Sequence, residues 1–172
     1  MQNGGFFTLN FRFGLRSRMF GLIISIDRYK SHEIPDLKGC KKDAQSIMDF
    51  LSHRFHVPPY HFMCLTDEQA TRSAILKGFW SHLIENSSIQ SGDAIIVFYA
   101  GHGSRTAGPE GWVADGNKIE TICPHDERTL DRNGKEILGI PDRTIDGLLR
   151  RVASTKGDNI VRLSSHSKIS PS

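Results

Sequence analysis

The segment Asp93 to Ala100, DAIIVFYA, constrains the fold of this chain more than any other. After Asp93 every residue is Ala, Ile, Val, Phe or Tyr. A strand with one wet face would alternate, and a surface helix would repeat its apolar positions every three or four residues. A short continuous run does neither. It fits a strand buried on both faces at the centre of a parallel sheet, with helices above and below. Gly101-His102-Gly103-Ser104 follows and is expected to end the strand.

The flanking sequence agrees with that frame. Met19 to Ile26, MFGLIISI, is a second buried-strand run, followed by a polar loop from Tyr29 to Gly39. Ala44, Ile47, Met48, Leu51 and Phe55 lie on one helical face within Lys41–Phe55. Val57-Pro58-Pro59 stops that helix, because proline lacks an amide hydrogen and disfavours helix before it. His61–Leu65 is a short strand. Thr71 is placed to cap a second helix carrying Ile75, Leu76, Phe79, Trp80, Leu83 and Ile84. Ser87–Gly92 reads as a turn.

Trp112–Ala114 and Ile119–Ile122 flank Asp115-Gly116-Asn117 and predict a hairpin. Pro141-Asp142 opens a third helix with Ile145, Leu148, Leu149 and Val152 on one face. Lys156-Gly157 closes it, and Asp158–Leu163 begins a fourth strand. Such alternation of strands and helices predicts a mostly parallel α/β sheet with right-handed crossovers. Three segments are expected: a disordered leader over 1–18, one domain over 19–163, and an unstructured serine-rich tail over 164–172.

Composition narrows the function classes. The 172 residues carry a net charge of +3 and no block of like charges, which argues against a nucleic-acid partner. No apolar run approaches the roughly 20 residues of a membrane span. Cys40, Cys64 and Cys123 form no C-x-x-C pair, so a structural zinc site is not expected. An odd, irregular cysteine set reads as a reducing, cytoplasmic setting. The first eighteen residues interleave Phe6, Phe7, Phe11 and Phe13 with Arg12, Arg16 and Arg18 and hold no acid. An organelle presequence has this look, but a disordered leader or a mis-assigned start is the plainer reading.

Ligands of open α/β sheets bind outside the carboxyl ends of the strands. His102 follows the central strand, between two glycines that permit sharp turns and close approach of a ligand. Histidine there can serve as general acid or base. The competing reading is a surface-loop histidine between turn glycines.

Tyr99-Ala-Gly-His-Gly-Ser104 resembles the histidine motif of the caspase and metacaspase peptidases. Gly21-Leu-Ile-Ile-Ser-Ile-Asp-Arg-Tyr29 is similar to their first strand and its exit. Leu37-Lys-Gly-Cys-Lys-Lys-Asp-Ala44 is similar to the motif opening their first helix. Ala70-Thr-Arg72, Gly111-Trp-Val-Ala-Asp-Gly116 and Ile140-Pro-Asp-Arg-Thr144 extend the resemblance, which runs from about Phe20 to Ile160. It implies a caspase-like three-layer fold and a cysteine endopeptidase acting on a peptide or protein substrate. A thiolate would attack the peptide carbonyl, His102 would protonate the leaving amine, and the Gly103 amide would help hold the oxyanion. Asp43, beside Cys40, would help form a pocket for substrate arginine or lysine.

Plainer roles stand next to these: a first-turn acid favoured by the helix dipole for Asp43, and a small packing residue for Cys40. Calcium is a further expectation of the resemblance. Asp115, Glu120, Asp126 and Asp142 are loop acids available to it, without the spacing of a dedicated loop.

The resemblance ends abruptly. Where the family carries D-C-C-H-S-G with its nucleophile, the chain reads Val161-Arg-Leu-Ser-Ser-His-Ser-Lys168. Ser164-Ser165-His166-Ser167 is superficially similar but arrives two residues early. A truncated or mis-spliced gene model, a non-catalytic relative that binds peptides or pairs with other caspase-like chains, and a serine nucleophile at Ser165 are three explanations. The last is disfavoured by the weak acidity of a hydroxyl. The first, by leaving strands and helices missing, predicts an open sheet edge and poor solubility.

Overall fold

A computed structural model describes residues 17–107 and 118–168. The central strand is where the apolar run places it. β3 spans Ala94–Ala107 and lies beside β1, Met19–Ser25, in parallel register from Met19↔Ala94 to Ser25↔Ala100. β2, Phe62–Thr66, runs parallel on the far side of β1. β6, Ile160–Lys168, runs parallel to β3. β4, Lys118–Ile122, and β5, Ile140–Pro141, complete the sheet antiparallel, so it is mixed.

Three helices cover the two faces. α1, Cys40–Phe55, buries Ala44 and Leu51 against Ile23, Ile96, Phe98 and Ala100. α2, Arg72–Gly78, starts at Thr71, whose hydroxyl accepts the Ala74 amide at 3.2 Å. Its last turns widen over Phe79–Ile84 into five-residue hydrogen-bonded loops, ending with Glu85 N–H on Trp80 O. α3, Asp142–Lys156, follows Pro141 and buries Ile145, Leu148 and Val152. With α2 it covers Leu22, Ile24, Val97 and Tyr99 on the opposite face.

Two boundaries differ from the sequence reading. The expected break at Gly101–Ser104 does not occur, and β3 runs on to Ala107. The Ala100 carbonyl accepts the Ile26 amide at 2.9 Å, and the His102 carbonyl accepts the Cys123 amide at 3.0 Å. Once β1 ends, the β4 side takes over its ladder, so the strand continues. The tail expected from Ser164 is likewise a strand as far as Lys168. Ladder bonds are made by the backbone, and exposed serines do not interrupt them. Residues 169–172 lie outside the described residues. So do residues 1–16 and the hairpin turn at Asp115-Gly116-Asn117 with Trp112–Ala114. Ile119–Ile122 lies within β4, where its antiparallel partner is Gly103–Thr106 of β3 and not Trp112–Ala114. Arg18, assigned to the leader, pairs with Asp93 at 2.6 Å. No helix among the described residues is long and apolar enough to cross a membrane.

Candidate functional site

The carboxyl end of β1 and the middle of β3 meet at two tyrosines. Tyr29, just past β1, accepts the His102 amide on its hydroxyl at 2.7 Å. Tyr99 donates its hydroxyl to the His102 carbonyl at 2.6 Å and accepts the Cys123 amide at 3.2 Å. Burial pushes both phenols well above their ordinary range, so both keep their hydrogens. Gly101 is explained by this clamp and not by a turn. A Cβ there would sit 2.5 Å from the Tyr99 hydroxyl and 3.0 Å from that of Tyr29.

His102 itself is 3 % exposed. Its ring lies tilted over that of Tyr29, centroids 5.2 Å apart, and its Nε2 hydrogen bonds the Pro35 carbonyl at 2.8 Å. The loop after β1 therefore folds over the imidazole.

The same loop delivers α1. Gly39 takes φ +115°, which favours glycine, and Cys40 is the first helical residue instead of preceding the helix. The cap comes from outside the helix: Asp27 accepts the Cys40 amide at 2.8 Å. Cys40 packs against the cluster of Ile23, Ala44, Phe98 and Ala100. Burial, then the carboxylates of Asp27 and Asp43, push its thiol up to about 12. It stays protonated at neutral pH and is a poor nucleophile. Asp43, one turn on, is exposed.

Beneath the loop lies a buried carboxylate, Asp67, at φ +43°. It accepts the amides of Asp27 and Arg28 at 2.8 and 3.0 Å and the Lys41 ammonium at 2.6 Å. Burial alone would raise its pKa; those hydrogen bonds outweigh it and hold the carboxyl below the usual range.

On the other flank, β6 sets what faces His102. The register pairs Ser165 with Ala100 and Ser167 with His102. Ser165 is thus two residues short of the position across from the imidazole. Gly103 pairs with Lys168. Ile95 N–H donates to Asn159 O, and strand alternation turns the Gly103 N–H to that same side, towards β6.

The loop acids considered for calcium do not converge. Glu120 pairs with Arg105 at 2.9 Å, Asp126 accepts the Arg72 amide at 2.8 Å, and Asp142 pairs with Arg162 at 2.8 Å. Asp115 lies outside the described residues. Among those described, no three His, Cys, Asp or Glu side chains form a metal cage.

Sequence reasoning singled out His102, Gly103, Cys40 and Asp43 and gave no role to Tyr29, Tyr99, Pro35, Asp27 and Asp67, which the structure places around them. The tyrosines had a signal. Tyr29 closes one quoted motif and Tyr99 opens another, and a phenol among apolar neighbours needs a partner.

Comparison with known proteins follows the same span. A family model described as metacaspase, peptidase C14 domain, matches residues 21–156. Metacaspase-1 of Arabidopsis thaliana is 32 % identical over 109 residues, covering 59 % of this chain and 28 % of that protein. Metacaspase-1 of Eremothecium gossypii is 32 % identical over 115 residues, covering 63 % and 24 %. The chain thus spans about a quarter of the length of these relatives. A Geobacter sulfurreducens protein of known crystal structure shares the fold, with a TM-score of 0.61 at 15 % identity over 87 % of this chain and 50 % of that one.

Proposed function

Because the chain belongs to the metacaspase, peptidase C14, family, we propose that it carries the histidine half of a cysteine endopeptidase site. His102 protonates the amine that leaves when a peptide bond is cleaved, and later activates water. The Gly103 amide serves the oxyanion only where β6 leaves it unpaired. Asp43, exposed at the start of α1, attracts arginine or lysine in the substrate residue whose carbonyl is attacked. The observation that carries this reading is the buried, clamped His102 between the Asp43 helix and β6.

The chemistry needs a thiolate, and none is supplied. Cys40, Cys64 and Cys123 all have thiols raised by burial, and Ser167 stands in register with His102. Residues 1–172 by themselves therefore hold peptides without cleaving them, in the reducing cytoplasm that three free cysteines fit.

The test uses the full chain with fluorogenic peptides ending in arginine, lysine or aspartate. No turnover is expected. Arginyl and lysyl peptides should bind more tightly than the aspartyl one, by a margin that Asp43→Asn removes. Turnover that persists in His102→Ala, or equal affinity for all three peptides, would overturn the proposal.

A further inference from the structure

α1 begins without a side-chain cap of its own. Gly39 is its N-cap residue, so the amides of the first turn find their acceptors elsewhere. Asp27 supplies them: its carboxylate accepts the Cys40 amide at 2.8 Å and the Lys41 amide at 3.4 Å. Asp27 is itself held from β2. One carboxylate oxygen of Asp67, just past that strand, accepts the amides of Asp27 and Arg28 at 2.8 and 3.0 Å. The other accepts the Lys41 ammonium at 2.6 Å. Asp67 therefore grips the start of α1 twice, through Asp27 and through Lys41.

The two ends of the Lys41 pair are unequal. The lysine side chain is 45 % exposed and that of Asp67 only 4 %. A pair open to solvent adds little stability. Here, though, the buried partner is fixed by two main-chain amides. It also sits at φ +43°, a conformation that persists in a non-glycine residue where its surroundings over-determine it. The aspartate places the lysine, and the pair is a fixed point for the helix. Asp43 belongs to the same first turn, and its amide bonds the Gly39 carbonyl at 2.8 Å. Where that turn sits decides where the Asp43 carboxylate sits.

Resting on the reading of Asp43 given above, we infer that Asp67 is a positioning residue for substrate recognition. Through Lys41 and Asp27 it sets the place of Asp43, and with it the preference for arginine or lysine. It touches no substrate itself.

Binding of the arginyl and aspartyl peptides to the full chain tests this. Lys41→Gln separates placement from charge, and Arg28, 3.6 Å from Asp67, leaves that carboxylate a cation. By Coulomb's law alone, removing a positive charge two residues from Asp43 favours the arginyl peptide. Loss of the grip acts the other way, and the preference for the arginyl peptide should fall about threefold or more. Asp67→Asn tolerates positive φ equally and should lower the preference further. Slow exchange of the Leu22 amide in β1 shows that each variant is folded. In an Asp43→Asn background neither substitution should lower the preference again. An unchanged or raised preference in Lys41→Gln, or an equal loss in the Asp43→Asn background, would overturn the inference and leave the reading of Asp43 standing. A preference untouched by Asp43→Asn alone would overturn both.

Discussion

The two flanks of β3 are built differently. β1 is buried on both faces, by α1 on one and by α2 with α3 on the other. β6 keeps an equally regular ladder although Val161 to Ser165 are exposed. Register and burial are therefore separable. Backbone pairing carries register through serines, whereas exclusion of water needs a helix lying over the strand. The β1 flank is where a fully buried aliphatic side chain contributes roughly 1.5–3 kcal/mol, and it is also the flank that holds the histidine.

Three substitutions probe that contrast. Phe79→Ala, under the β1 flank, should lower stability by about 3–5 kcal/mol. Leu163→Ser on β6 should cost roughly 1 kcal/mol or less. Urea melts of both compare them, and equal losses would erase the distinction. Tyr29→Phe should cost about 1–3 kcal/mol, because it strands the buried His102 amide. The His102 amide resonance should move while those of β6 stay put.

A fourth effect is smaller and opposite in sign. Glu127 is buried beside Cys123 and Arg128, with one carboxylate oxygen lacking a hydrogen bond. Burial raises its pKa most, and hydrogen bonding to Cys123 offsets part of the rise. A raised carboxyl favours folding fully below its unfolded pKa of about 4.3. That contribution is lost as pH rises through the folded value. Glu127→Gln should therefore raise the urea midpoint at pH 8 and leave it unchanged at pH 4. A gain at pH 4 would place the effect elsewhere.

The elements legible in the sequence are those whose side chains record burial. β3, the α1 stripe and the Thr71 cap were legible because periodicity and capping are local. Gly101 misled because glycine beside polar residues looks like a turn, when here it clears space for two phenols. β6 beyond Leu163 was invisible because its pairing uses atoms every residue shares. Of the site, a histidine after a buried strand and an acid at a helix start were readable. The Asp27 cap and the Asp67 hub were not, since each reaches across the chain to amides its own neighbours do not reveal.

The Pro35 carbonyl has a consequence for how His102 can work. A carbonyl oxygen only accepts, so Nε2 must carry its hydrogen whenever that 2.8 Å contact is made. The neutral ring is thereby confined to the tautomer that carries its hydrogen on Nε2. A main-chain oxygen in the loop after β1 thus settles which nitrogen of the neutral imidazole is left as an acceptor: Nδ1, and never the one held under the loop.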